Sequence, residues 1–286
     1  MPEPTLVPLA DVDTARVSNL LSRAGEKRGG DVVDEAELAR LSGRRSRKGW
    51  TAAVAEQEGS VVGYAAVVER DDAVGGDVVS LDGADVLPVL LAWQREQAGD
   101  RELITWLRFS TEDELAAAEA AGFTIRRRLG VVGRGLATVD VADPPDDLRI
   151  RAVTNEDLDG VLAVLLDAYD GTDDGGWTRD ELERRRAYPW YRDRDLLVAS
   201  TPDGRIAGIH WTKQRTTHRG ETYNLAIAPW AQGKGLGRAL LTAGMAHLAD
   251  IGLDEIILWV DRSNHRALKL YDSVGFETLW DDVALT

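Results

Sequence analysis

A glycine-rich loop between a strand and a helix constrains the fold of this chain more than any other feature of its sequence. The apolar run Leu225-Ala226-Ile227 predicts a strand that ends at Pro229, and an apolar-periodic helix follows the loop. The loop itself reads Gln232-Gly233-Lys234-Gly235-Leu236-Gly237-Arg238. Glycines let a backbone approach a ligand closely, and the N–H groups of a first helical turn point at an anion. The pattern therefore predicts a pyrophosphate site, in which Lys234 and Arg238 supply positive charge.

The segment 142–148 divides the chain into two halves. It contains Pro144-Pro145 flanked by acidic residues, and two prolines can continue neither a helix nor a central strand. We therefore expect a first domain at 1–141, a linker at 142–148 and a second domain at 149–286.

Strand and helix patterns alternate in the second half, which predicts an α/β fold with a mixed sheet. The predicted elements are a strand at 148–152, a helix capped by Asn155, a helix opened by the capping box of Thr178 and Glu181, a hairpin of 196–200 and 206–214, strands at 221–227 and 255–260, and helices at 235–250 and 265–274.

The first half carries a weaker copy of this plan. The string at 59–64 parallels the string at 204–209, and that at 118–123 parallels 271–276. Duplication explains both parallels, while chance similarity of short glycine-containing strings is the alternative. The segment 75–83 leads to a helix from about Val86 without a Gln/Arg-x-x-Gly-x-Gly loop. We therefore expect the first half to be degenerate and to hold no pyrophosphate.

Composition removes several functional classes. The net charge of −15 argues against binding to nucleic acids or anionic membranes. The chain has no cysteine, which excludes disulfides and a cysteine nucleophile, and its four histidines lack metal-ligand spacing, so we expect no metal. With no apolar run of transmembrane length and no signal-peptide pattern at the N-terminus, we expect a soluble, cytoplasmic protein.

The loop and the elements around it resemble the GCN5-related N-acetyltransferase (GNAT) superfamily. Besides the Gln-x-x-Gly-x-Gly element, the matching features are the strand before it, the upstream hairpin, and Asn264-His265-Arg266-Ala267 followed by Tyr271 and Gly275-Phe276. The resemblance implies two tandem GNAT-type domains and an acetyl-CoA co-substrate. By resemblance, backbone groups of Leu225 to Ile227 contact the pantetheine and thioester, the loop from Gln232 to Arg238 takes the pyrophosphate, and Asn264 and Arg266 face the other side of the cofactor.

Two residues are candidates for acid–base catalysis. Tyr271 occupies the place of the superfamily's tyrosine that protonates the departing CoA thiolate, and the alternative is a core aromatic. Glu221 begins the strand that leads to the loop, where a carboxylate can take a proton from the attacking amine. The alternative for Glu221 is a solvated charge at a strand edge.

A closer resemblance is to the mycothiol synthase family of tandem acetyltransferases, which acetylate the cysteinyl amine of Cys-GlcN-Ins. The strings that carry it are Asp173-Asp174-Gly175-Gly176-Trp177-Thr178, His210-Trp211-Thr212-Lys213, Glu221-Thr222-Tyr223-Asn224-Leu225 and Leu258-Trp259-Val260. By resemblance, Asp173, Lys213, Glu221 and Trp259 contact this substrate. Trp259 stands where the family usually has a tyrosine, and Asp173 is one methylene shorter than the expected glutamate. Glu35 is the candidate contact from the first half, with a solvated acidic face as its alternative.

Three functional interpretations remain after these observations. The favoured one is acetylation of Cys-GlcN-Ins by a monomeric enzyme. A related tandem acetyltransferase that acts on another amine, such as an aminoglycoside or a peptide N-terminus, is the second. The third is a non-catalytic acyl-CoA-binding protein, although such a protein needs no acid–base pair.

Overall fold

The computed structural model describes residues 3–70, 73–81, 85–172 and 175–286 of the chain. It contains two compact units: Met1–Gly130 together with Trp280–Thr286, and Val131–Leu279. The units divide between Gly130 and Val131, before the segment 142–148, and again between Leu279 and Trp280. Two duplicated domains at 1–141 and 149–286, joined by a linker at 142–148, stay a prediction.

The first unit is built on one mixed sheet. Its elements are β1 (Thr5–Pro8), α1 (Thr14–Arg28), α2 (Glu35–Leu41), β2 (Trp50–Gln57), β3 (Ser60–Glu69), β4 (Ala73–Ser80), α3 (Leu87–Ala98), β5 (Glu102–Leu107), α4 (Glu112–Ala120) and the first part of β6 (Ile125–Gly135). The strand order is β1-β2-β3-β4-β5, and the end of β12 (Glu277–Leu285) pairs antiparallel with β5. The chain therefore completes this sheet with its own C-terminus.

The second unit contains the rest of the chain. Its elements are the end of β6, β7 (Arg149–Ala152), α5 (Leu158–Tyr169), α6 (Arg179–Arg186), β8 (Leu196–Ser200), β9 (Ile206–Gln214), β10 (Arg219–Ile227), α7 (Leu236–Asp250), β11 (Glu255–Asp261) and α8 (His265–Asp272). The strand order is β6-β11-β10-β9-β8-β7. The predicted hairpin and the predicted order of strands and helices are confirmed, and the two strands after the hairpin differ from the prediction by two residues or fewer.

Local hydrogen bonds explain where several helices begin, and they correct one prediction. Asn155 does not cap α5: Thr154 and Asp157 form a capping box at the short 3-10 turn Asn155–Asp157, and Asp157 is the N-cap residue of α5, which follows this turn. Thr178 caps α6 by accepting from Glu181 N, as predicted, but the Glu181 carboxylate pairs with arginines of the next turn. None of the helices in the described ranges is long and apolar enough to cross a membrane.

Helices cover both faces of the second unit's sheet. Trp211 of β9 is fully buried in the cluster that β9 and β10 form with α5 and α6. On the opposite face, the neighbouring His210 has its Nδ1 2.8 Å from the carbonyl of Leu240 in α7 and its Nε2 3.0 Å from the Thr222 hydroxyl. Burial lowers the pKa of His210 to about 4, so a neutral imidazole connects β9, β10 and α7.

Because β12 pairs with β5, we expect side chains of β12 to contribute to the stability of the first unit. Val283 is fully buried and lies opposite Leu107. We expect Val283→Ala to cost about 2 kcal/mol of stability, because it leaves a cavity in the first unit. Leu279→Ala, at a side chain that is 45% exposed, is the control and should cost no more than about 0.5 kcal/mol. Hydrogen exchange should accelerate in β5 of the Val283 variant; acceleration confined to residues 131–279 would contradict this assignment.

Candidate active site

The two edges of β10 have different partners. Along one edge β10 pairs antiparallel with β9 from Gly220 to Ile227. Along the other edge it pairs parallel with β11 only from Arg219 to Glu221, opposite Glu255 to Ile257. Beyond Glu221 the two parallel strands part. The β11-facing backbone groups of 222–227 thus have no partner on β11, although the Ile227 carbonyl accepts a hydrogen bond from the Gln232 side chain. The other groups can bond to an extended ligand that lies between the strands.

The first unit lacks this opening over the corresponding strands. There β4 and β5 remain paired from Ala73↔Glu102 to Val78↔Leu107. The sequence predicts that the segment 75–83 leads to α3 without a Gln/Arg-x-x-Gly-x-Gly loop. The structure describes this segment as far as residue 81, and residues 82–84 lie outside the described residues. The continuous pairing supports the prediction that the first half holds no acetyl-CoA.

The glycine-rich loop has the geometry that the sequence pattern predicts. Gly233 and Gly235 adopt left-handed φ angles of 80° and 86°, which favour glycine. A Cβ built on either glycine would meet no described atom within 4 Å. Gly235 is also the N-cap of α7, and within the described chain no side chain caps this first turn. The open loop and the uncapped helix end fit a pyrophosphate.

Three side chains predicted to bind the cofactor are held by local hydrogen bonds. Gln232 donates from Nε2 to the Ile227 carbonyl at 3.0 Å and accepts from Arg266 Nη1 at 2.7 Å. Arg238 donates to the hydroxyl of Ser273, at the end of α8. The first contact braces the loop against the end of β10, whereas the guanidinium of Arg238 is directed to α8.

The remaining residues predicted to bind the cofactor lie either at the start of α7 or α8 or exposed in the loop. Lys234 is exposed in the loop. Leu236 is buried, and Gly237 lies beside it in the first turn of α7. Asn264 caps α8 by accepting from Ala267 N at 3.0 Å. The contacts of these residues with a cofactor therefore stay predictions.

The candidate base Glu221 lies beside two cations. Lys213 is its register partner on β9. Arg215 donates from Nη1 to Glu221 Oε2 at 3.0 Å, and its guanidinium lies 5.1 Å from the ring centre of Trp259. Glu221 is 7% exposed, so it is not the solvated strand-edge charge of the alternative interpretation. Sequence reasoning missed Arg215, although it lies two residues after Lys213, the register partner of Glu221, and is therefore a diagonal neighbour of Glu221.

Aromatic rings and a further cation surround Lys213. Its Nζ lies 4.6 Å from the ring centre of Trp190 and 5.7 Å from that of Tyr223. Arg185 of α6 donates to the Tyr223 hydroxyl at 2.7 Å and lies 4.4 Å from the ring of Trp177. Burial raises the pKa of Tyr223 to about 12, so the phenol stays neutral. Sequence reasoning also missed Arg185, which carries no signal beyond its place in a charged helix.

The candidate acid Tyr271 is buried in α8. Its ring centre lies 5.7 Å from that of Phe276. Burial raises the pKa of Tyr271 above its ordinary value, and the nearby phenol of Tyr169 raises it further. Tyr271 therefore holds its proton at neutral pH. It also packs in the core, as the alternative interpretation stated, so the structure fits both roles.

Two predicted substrate contacts are not placed at this site. Asp173 lies outside the described residues. Glu35 is exposed at the start of α2 in the first unit, and it is Glu37 that is buried there. Glu37 accepts hydrogen bonds from Tyr64 and Trp50, so its carboxylate has a structural role. The proposed contact of Glu35 with substrate stays a prediction.

Comparisons with known proteins define the class. The sequence family described as Acetyltransferase (GNAT) family matches residues 162–276. A GCN5-related N-acetyltransferase from Sphaerobacter thermophilus superposes with a TM-score of 0.74 at 18% identity, covering 100% of this chain and 96% of that one. A tandem GNAT protein from the clavulanic acid biosynthesis pathway superposes with a TM-score of 0.69 at 17% identity, covering 99% and 97%. The chain has the tandem GNAT fold.

Curated relatives narrow the assignment. The mycothiol acetyltransferase of Thermomonospora curvata is 34% identical over 96% of this chain and 94% of that protein. The mycothiol acetyltransferase of Stackebrandtia nassauensis is 32% identical over 94% of this chain and 93% of that protein. The chain belongs to the mycothiol acetyltransferase family.

The loop geometry predicts where acetyl-CoA binding is lost by mutation. We expect Gly235→Val to raise the dissociation constant of acetyl-CoA at least about 10-fold, because a side chain there displaces the anion from the helix N-terminus. Gly204→Val is the matched control, since Gly204 has a φ of 88°, no described atom within 4 Å, and a place in the β8–β9 turn. Both variants bear the same backbone strain, and only the first should bind weakly. Calorimetry should find one site per wild-type chain; two sites of similar affinity would contradict the account of the first half.

Proposed function

We propose that the chain transfers the acetyl group of acetyl-CoA to the cysteinyl amine of Cys-GlcN-Ins, which gives mycothiol. The observation that carries this proposal is the buried Glu221 with its register partner Lys213, at the point where β10 and β11 part. A carboxylate and an ammonium beside a thioester site suit a polar acceptor with one reactive amine. Membership of the mycothiol acetyltransferase family supports the choice of acceptor.

Acetyl-CoA is proposed to bind to the second unit, where it supplies an acetyl group activated as a thioester. The N-terminus of α7 and the loop from Gln232 to Arg238 would hold the pyrophosphate. The free edge of β10 at Leu225 to Ile227 would hydrogen-bond the pantetheine arm. A backbone N–H at this edge, directed at the thioester oxygen, would stabilise the oxyanion that forms there.

Glu221 is proposed to act as the general base. An amine is mostly protonated at neutral pH, so one N–H proton must pass to Glu221 before the nitrogen can attack. The C–N bond then forms, the nitrogen loses a second proton, and the C–S bond breaks. Tyr271 gives its proton to the departing sulfur, and the second proton from nitrogen restores the phenol. One proton per turnover is released to solvent, so atoms and charge balance.

Desolvation supports Tyr271 as the acid. Its raised pKa keeps the phenol protonated until a stronger base appears beside it. A thiolate that leaves into the same dry surroundings is also desolvated, which raises its own affinity for a proton. The same dry surroundings therefore raise the proton affinity of both the Tyr271 oxygen and the leaving thiolate.

The acceptor is proposed to lie on the face of the sheet that carries α5 and α6. Lys213, Glu221 and Asp173 would contact its hydroxyl groups and its amine, and Trp259 would supply an apolar surface in place of a hydroxyl contact. Glu35 of the first unit is the remaining proposed contact. A single acetyl-CoA site per chain, a monomeric state and a cytoplasmic location belong to the same proposal.

Glu221 and Arg215 give a test of the base. We expect Glu221→Gln to lower turnover by roughly 10²- to 10⁴-fold while acetyl-CoA affinity stays near the wild-type value. Arg215→Met should lower turnover but leave it measurable, because the guanidinium that holds the Glu221 carboxylate in place is gone. Near-normal turnover of Glu221→Gln across the pH range would contradict the base assignment.

The acceptor is tested by substrate preference. Purified protein should acetylate Cys-GlcN-Ins with a far higher kcat/KM than free cysteine or glucosamine, because polar groups built to bind hydroxyls are left unpaired by the smaller amines. Lys213→Ala should raise KM for Cys-GlcN-Ins roughly 10-fold or more, whereas Lys48→Ala, which removes the same charge from an exposed position, should not. Equal use of free cysteine, a peptide or an aminoglycoside would contradict this acceptor while leaving the acetyltransferase class intact.

A further inference from the structure

A β-bulge in β10 changes which side chains face α5. The register with β9 shifts between Thr222 and Asn224. Thr222 bonds to His210 and therefore faces α7. Tyr223 packs its ring 5.2 Å from Trp211, and Asn224 donates from Nδ2 to the Tyr169 hydroxyl at 3.3 Å, so both face α5. Side chains of a regular strand alternate between faces, and the bulge instead brings two consecutive side chains to one face.

The side-chain oxygen of Asn224 is buried and has no hydrogen-bond partner among the residues that the structure describes. The residue as a whole is partly exposed, so Oδ1 is directed inward and not to bulk solvent. An amide oxygen can accept two hydrogen bonds, and leaving it buried without any is unfavourable. Such an atom in a functional site is suited to a donor on a ligand.

Asn224 lies on the same stretch of β10 as the residues proposed to bind the thioester and to act as the base. Asn224 comes directly before Leu225 and three residues after Glu221, on the stretch of β10 that has parted from β11. Its partner Tyr169, at the end of α5, lies close enough to Tyr271 to perturb it electrostatically. Glu221 and Asn224 pair with Lys213 and Trp211, which are two residues apart on β9, so both side chains lie on the same face of the sheet.

We infer that Asn224 binds the attacking amine, with Oδ1 accepting one N–H of the nitrogen while Glu221 takes the proton from another. The inference rests on the proposed function and adds to it the group that sets the direction of the nitrogen lone pair. After Glu221 has taken its proton, the nitrogen keeps two N–H bonds and has a lone pair where the third N–H bond was. The N–H bond held by Asn224 Oδ1 fixes the position of the nitrogen, so that a turn about this bond directs the lone pair from Glu221 to the thioester carbon. The ligand class is a primary aliphatic amine.

A neutral acceptor is chemically appropriate at this position. A second carboxylate would stabilise the ammonium form of the substrate and oppose its deprotonation. An amide oxygen orients an N–H without adding charge. It therefore holds the amine in the attacking geometry and leaves proton removal to Glu221.

Asn224→Leu tests the inference, since leucine has nearly the same shape but offers no acceptor. We expect kcat/KM for the amine to fall roughly 10- to 100-fold, and the dissociation constant of acetyl-CoA to stay within about 2-fold of wild type. The melting temperature should be unchanged or higher, because an unpaired buried acceptor is removed. Asn224→Asp keeps acceptor oxygens but adds a charge that opposes deprotonation of the substrate, so its kcat/KM should lie between those of the leucine variant and the wild type. Asn155→Leu, the same change at an exposed position, should match wild type.

Several results would overturn the inference. They are a wild-type kcat/KM in Asn224→Leu, equal losses in the leucine and aspartate variants, or a parallel fall in melting temperature and acetyl-CoA affinity, which marks a structural role. Turnover of Cys-GlcN-Ins by the wild-type protein tests the proposed function separately. The comparison of Asn224→Leu with wild type is then made on whichever amine the wild-type protein acetylates.

Discussion

The site depends on β10 leaving its parallel neighbour after three residues while it keeps its antiparallel neighbour to its end. A strand paired on both edges offers no backbone groups to a ligand, and an isolated strand would not hold its position. With one edge paired to β9 and the other not paired beyond Glu221, β10 can offer hydrogen-bonding groups at fixed positions to an extended ligand. The bulge at Tyr223 also brings the side chains of Tyr223 and Asn224 to one face of this stretch of β10. The first unit keeps β4 and β5 paired from Ala73 to Val78, so these two strands have no such opening.

Local charge at the site opposes the charge of the whole chain. The net charge of −15 repels a polyanionic co-substrate at long range. Lys213, Arg185 and Arg215 are gathered on the face that carries α5 and α6, and each lies against a tryptophan ring. Aromatic faces stabilise cations and limit their motion. The contacts with the rings therefore hold the three cations in place on this face.

Local sequence patterns predicted the elements better than their long-range pairing. The hairpin of β8 and β9 and the helix α7 follow from alternation, turn residues and apolar periodicity, which act over a few residues. The segment Trp280–Thr286 belongs to the first unit because of pairing with β5, and no local pattern specifies a partner so distant in sequence. Glu221 was predicted from its place at the start of the strand before the loop, and Lys213 from the family resemblance; the role of each stays a prediction. Asn224 was missed because a strand's side-chain alternation gives the face of each residue only when the position of a bulge is known.

Amide hydrogen exchange with and without acetyl-CoA tests the central claim, that the co-substrate lies between the parted strands of the second unit. The account expects protection of the β10 amides beyond Glu221 and of the first-turn amides of α7, at Leu236 and Gly237. The amides of β4 and β5 in the first unit should exchange at the same rate in both samples. Protection of β4 and β5, with β10 unchanged, would contradict the account.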